Sequence, residues 1–103
     1  MAAGFVGILT ADLHLPGAHS LKEKRREVLR VRSALARHCG ASVAEVDHHE
    51  AWQRCRISLA LVAREAGEAA EGLERASRRL ATDPEWQVLS EEREVIDVEE
   101  GAA

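Results

Sequence analysis

The sequence has no tyrosine, one phenylalanine and two tryptophans. Phe5, Trp52 and Trp86 are therefore its whole aromatic inventory, and the core must be built mostly from Val, Ile, Leu and Ala. A sheet that reads RNA by stacking bases carries aromatics on its central strands. Here only Phe5 is available, so that mode of recognition is not expected. The two cysteines, Cys39 and Cys55, are too few for a disulfide framework. They read as small apolar side chains in a reducing compartment rather than redox or metal groups. No apolar run is long enough to span a bilayer. The opening MAAGFVGILTADLHL lacks the positive start and long apolar stretch of a signal peptide. A soluble cytoplasmic protein with no membrane partner is expected.

The 103 residues suffice for one domain, 1–103, with fraying expected at 1–4 and 99–103. A chain of this size buries roughly two-thirds of the surface it exposes when unfolded, so a core needs no staples. Its net charge is −4, distributed unevenly. Residues 1–40 hold seven basic and three acidic side chains, and residues 41–103 hold seven and fifteen. Solubility does not require such segregation. A basic face does, and a basic face fits an anionic partner. The acidic segment 91–100 is placed to shield that face if the fold brings the two together.

FVGILTADLHL (5–15) reads as a strand ended by Pro16-Gly17. Ser20 and Glu23 have capping-box spacing, and Leu21, Val28, Val31, Leu35 and Cys39 form one apolar helical stripe that Gly40 closes. ASVAEVD (41–47) alternates as a short strand, with Val43 and Glu45 on one side and Ala44 and Val46 on the other. RCRISLALVA (54–63) is a strand with Ile57, Leu59 and Leu61 on one face. Ala66, Ala69, Ala70, Leu73, Ala76 and Leu80 mark a second helix, poorly capped at Arg64-Glu65 and ended by Asp83-Pro84. Trp86, Val88, Val95, Ile96 and Val98 mark a last strand, with a break expected near Ser90. The order β-α-β-β-α-β fits an α+β, ferredoxin-like architecture: a four-stranded antiparallel sheet with two helices on one face.

That topology places three connections, 14–20, 48–53 and 82–86, at one end, the usual layout of a site. They gather most of the unusual residues. Lys22, Lys24, Arg25, Arg26, Arg30 and Arg32 crowd the start of the first helix, where cations are mildly unfavourable with the helix dipole. With His14 and the Ser20 end of the helix, they read as an anion or nucleic-acid site. Asp47, His48, Trp52 and Gln53 form a candidate loop site. His48 and His49, adjacent on extended chain, point apart, so no metal is expected, and no HExxH or CxxC spacing is present. Asp47 is able to orient His48 as a general base, yet no nucleophile is marked, and no catalytic residue or cofactor is assigned. Trp52 is expected to fold back as a lid on the core; the alternative is a stacking surface. The sheet face away from the helices carries Val6 and Ile8, a patch able to support a homodimer.

At LHLPGAHSLKEKRR, Leu13 to Arg26, the chain resembles the YlxP-like bacterial proteins, a family of unknown function whose pattern resembles LHLPGARSLKEKRR. Val43 to Arg54 is similar to the family's VAEVDHQDLWQR. His19, His49, Glu50 and Ala51 depart from these patterns, and Cys55 stands where the family has Ala. The resemblance runs from Phe5 to about Glu94. It implies the ferredoxin-like fold and a bacterial cytoplasmic protein. Genes of the family commonly lie beside those for translation initiation and ribosome maturation, which implies ribosomal RNA or the small ribosomal subunit as partner. It implies no catalytic activity. A non-enzymatic RNA-associated binding module is the function expected. A small-molecule protein or enzyme with its pocket between 14–20 and 48–53 is one rival, and a dimeric interaction protein is the other.

Overall fold

The computed structural model describes residues 3–101. Strand β1 (Phe5–His14) leads into helix α1 (Leu21–Cys39), then β2 (Ser42–Asp47), β3 (Arg54–Ala63), helix α2 (Ala66–Ala81), β4 (Gln87–Asp97) and a terminal helical turn, α3 (Val98–Gly101). The sheet is antiparallel in the order β2-β3-β1-β4. This is the ferredoxin-like arrangement the element order predicts.

Alternation decides which side of each strand is buried. Leu9, Ala11 and Leu13 on β1 and Cys55, Ile57, Leu59 and Leu61 on β3 face the helices and are buried. Val28, Val31 and Leu35 of α1 and Ala69, Leu73, Ala76 and Leu80 of α2 complete the core. Two glycines let α2 approach closely. A Cβ on Gly7 would lie 3.0 Å from Leu73 Cγ, and one on Gly72 would lie 2.8 Å from Leu61 Cδ2.

Several boundaries differ from expectation for physical reasons. The first strand ends at His14, one residue earlier than read; the Leu15 N–H still donates to Gln53 O at 2.9 Å, and Pro16, with no N–H, can carry the ladder no further. The expected break near Ser90 is a register shift within one continuous strand: Asp12 pairs with Ser90 and Leu13 with Val88, leaving Leu89 unpaired and half-exposed. In α2 the stripe is narrower than read, since Ala66 and Ala70 are exposed. Cys55 is buried, and Cys39 is only partly so. Of the segments expected to fray, residues 1–2 and 102–103 lie outside the described residues. Gly4 is tied down, its carbonyl accepting from Val98 N at 3.1 Å. Glu99 and Glu100 belong to α3, where the Glu99 N–H donates to Asp97 Oδ1 at 3.0 Å.

Candidate nucleic-acid interface

The three connections meet at one end of the fold. Gln53 Nε2 donates to Pro16 O at 3.2 Å and Ala18 O at 3.0 Å, binding the 48–53 loop to the Pro-Gly turn. His14 Nδ1 lies 3.1 Å from Gln87 Oε1, and a Cβ on Gly17 would lie 3.9 Å from Glu85 Oε2. The turn is rigid because Pro16 fixes one dihedral and Ala18, buried behind it, donates its N–H to Leu15 O.

The cations gathered by sequence divide here into two kinds. Lys22, Arg25 and Arg26 are exposed on the first turns of α1, and among the described residues none of them forms an ion pair. Lys24 is a correction to the expected anion site: it is 1% exposed. Its ammonium lies 2.5 Å from Glu45 Oε2 and donates to His48 O at 2.7 Å and His49 O at 3.5 Å. The ion pair with Glu45 and the two loop carbonyls together are what let the charge survive burial. Lys24 is therefore a positioning residue that holds the 48–49 backbone from beneath. The periodicity contained this signal, since positions 21, 24, 28, 31 and 35 run unbroken at three and four, with Lys24 in the stripe.

Arg30 is the second correction. Its guanidinium grips Asp83 in a fork, with both contacts at 2.9 Å, and its Nε donates to Glu27 at 2.9 Å. It ties α1 to the 82–86 connection and is neutralised there. Arg32 donates to Val43 O at 3.2 Å. The helix terminus is likewise spent. Ser20 Oγ accepts from Glu23 N at 3.1 Å, while Glu23 Oε2 accepts from His19 N at 2.6 Å. This is the predicted capping box, reaching one residue further back than the usual form. It places a carboxylate where an anion would sit, so the cations rather than the helix terminus are what remain for a partner.

In the loop, His48 takes a left-handed backbone with φ 65°, an uncommon conformation outside glycine. Asp47 Oδ1 accepts from the His48 N–H at 2.7 Å and helps hold that geometry, and its other oxygen lies 3.5 Å from Arg56. The His48 N–H, followed by the charge of His48, holds the Asp47 carboxyl below the usual range. His48 Nε2 lies 3.7 Å from Asp12 Oδ1. Asp12 was not singled out from the sequence. Arg56 grips it in a fork at 3.0 and 3.1 Å, and Ser90 Oγ donates to it at 3.2 Å. The Arg56 hydrogen bond is the main cause of its lowered pKa. The pairing was legible in retrospect, since β1 and β3 in register put Asp12 opposite Arg56. With Thr10, Ser90 and Glu92 these residues line a small cleft of about 210 Å³ on the open sheet face.

Trp52 overturns the lid expectation. It is 53% exposed, and the core is closed instead by Trp86, 3% exposed just before β4. Cys55 is an inert thiol, pushed up to about 12 by burial and by the neighbouring Glu45 carboxylate. Among the described residues, no three of His, Cys, Asp or Glu gather so as to hold a metal ion, and no helix is long and apolar enough to cross a membrane.

The family described as a protein of unknown function, DUF503, matches residues 6–93. The chain belongs to the DUF503 family. The matched span contains the three connections described above, 14–20, 48–53 and 82–86. No curated protein matches the chain. Among solved structures, it is similar to a C-terminal segment of the alpha subunit of aIF2 from Pyrococcus abyssi, at 16% identity and a TM-score of 0.44. The match covers 90% of this chain and 49% of that one, so the DUF503 chain spans about half the length of that neighbour.

Proposed function

We propose that this DUF503 protein is a non-enzymatic RNA-binding module of one ferredoxin-like domain. It meets RNA phosphates with Lys22, Arg25 and Arg26 and offers Trp52 as a stacking surface beside them. The observation that carries this reading is the pairing pattern at the loop end. Lys24 and Arg30 are consumed by carboxylates, while their three neighbours on the same helix are left exposed and uncompensated. Unpaired cations and an exposed tryptophan at the same end of the fold are features that single-stranded nucleic acid uses. Ribosomal RNA, on the small subunit or its precursor, is the favoured partner, and the cytoplasm the favoured location. Both are supported by the resemblance of the Leu13–Arg26 and Val43–Arg54 motifs to YlxP-like proteins.

The reading is tested by titrating the protein with a mixed-sequence oligoribonucleotide while following tryptophan fluorescence at several salt concentrations. Trp86 is buried, so quenching reports Trp52. Binding should weaken steeply with salt, and Trp52→Ala should cost about 1–3 kcal/mol of binding with little effect on folding. Binding indifferent to salt would contradict the reading.

The enzyme or small-molecule alternative is disfavoured at the loops. Asp47 is spent on the His48 N–H and Arg56, and Gln53 bridges the gap between 14–20 and 48–53. Dimerisation through the open sheet face is compatible with RNA binding and has its own support. Val62 is 77% exposed there, with Val6 paired to it on β1 and Ile96 beyond Val6 on β4. Light scattering at rising concentration should show a dimer that Val62→Lys disperses, and a wild-type protein that stays monomeric would remove this reading.

A further inference from the structure

A second set of cations lies where the sequence offered no motif. The two helices run antiparallel. Arg30, midway along α1, meets Asp83 just past the end of α2, and His38, near the end of α1, comes beside Arg75 of α2. Between them is a groove of about 310 Å³ lined by His38, Cys39, Arg75, Arg78, Arg79 and Thr82. No carboxylate is among these lining residues. Among the described residues, neither His38 nor any of the three arginines forms an ion pair. Glu74, on the same helix, is held by Arg93 at 2.6 Å on the side facing β4.

The helix dipole accounts for Arg78 and Arg79 in the last turn of α2, and separately for Arg37 and His38 in the last turn of α1. It does not account for Arg75, nor for the side chains from both helices lining one groove. Arg78 shares the Glu74 carboxylate with Arg93, but the groove lining itself holds no carboxylate; cations that converge there repel one another, and a bound anion relieves that repulsion. Arg30, Arg56 and Arg93 show the alternative, each with a carboxylate partner; among the described residues Arg25, Arg26, Arg32, Arg37, Arg54 and Arg64 form no ion pair either, so it is the convergence from two helices that distinguishes the groove.

We infer that this inter-helix groove is a second phosphate-binding site for the same RNA, so that the RNA lies across the helix layer and leaves the open sheet face free. This rests on the RNA-binding reading above. Arg37, which does not line the groove, links the two cationic sets along α1: it is eleven residues from Arg26, three turns, and so shares the outward ridge with it about 16 Å away. The direct path through the cleft lined by Arg30, Leu80 and Asp83 is closed to phosphate by the Asp83 carboxylate. The groove has no aromatic lining, so it neutralises backbone without reading bases.

The test uses the full chain carrying Arg75→Gln, Arg78→Gln and Arg79→Gln together. These substitutions keep good helix formers at exposed positions. Binding to a mixed-sequence oligoribonucleotide is measured from about 50 to about 200 mM salt, with circular dichroism to confirm the fold. The inference predicts that the log–log salt slope falls by about two units relative to wild type while the quenching of Trp52 at saturation is retained. An unchanged slope and affinity, with wild type binding normally, would overturn the groove and leave the loop-end interface standing. Wild type failing to bind at any salt would overturn both. If the triple variant unfolds, Arg78→Gln alone replaces it, with a fall of about one unit expected and no change contradicting the inference.

Discussion

Lys24 shows how one residue settles what a motif means. In LKEKRR it reads as one more cation of a cluster, yet its side chain is fully buried and its charge goes to Glu45 and the loop carbonyls. Removing it strands the Glu45 carboxylate. Lys24→Met should therefore destabilise the fold by about 3–5 kcal/mol in urea unfolding, and Lys24→Met with Glu45→Leu should recover much of that loss. A charge reversal that includes Lys24 would report unfolding rather than binding. Its burial was legible in the sequence, as an occupied gap in the stripe and as Glu45 sharing a face with Val43. The exposure of Trp52 was not, because a loop residue has no periodicity to say which way it turns. Cys55 follows the same logic of burial: its thiol should resist alkylation in the native protein and react only on unfolding, as mass spectrometry of a labelling time course would show.

Elements were legible wherever the pattern was long. The strands over 54–63 and 5–14 and the helix between Ser20 and Gly40 follow from alternation, a capping pair and a left-handed glycine with φ 63°. The last strand was harder, because a bulge and a break look alike when a strand at the sheet edge is polar on both faces. Ser20→Ala should lose about 1 kcal/mol by removing the cap of α1. Gly72→Ala should cost about 1–3 kcal/mol, since the new Cβ would press on Leu61 under α2. The cross-strand pair between Asp12 and Arg56 sets an acid limit. The folded pKa of Asp12 lies below its usual value, chiefly through the Arg56 hydrogen bond. Its contribution is therefore present above the unfolded pKa and is lost as pH falls through the folded one. Thermal melts should show the wild type losing stability below about pH 4, with Asp12→Asn less stable near neutrality and flatter over that acid range.

Across the whole molecule, charge segregated along the chain becomes charge segregated in space. The sheet order sets β4, with Glu92 and Glu94, at the edge opposite β2, while α1 packs against β2. The acidic 91–100 segment thus lies away from Lys22, Arg25 and Arg26 rather than shielding them. The sequence located the loop end from topology alone. It missed Arg75, Arg78 and Arg79, because they lie in the acidic half of the chain and only the antiparallel helices bring them beside His38. The central claim is that exposed cations on α1 hold RNA. Co-sedimentation with purified small ribosomal subunits across a salt series, comparing wild type with Arg25→Glu/Arg26→Glu, tests it most directly. The account predicts that wild type sediments with the subunit at low salt, is released as salt rises, and that the reversed variant stays in the supernatant while remaining folded. Equal sedimentation of the two proteins, or wild-type binding unmoved by salt, would contradict it.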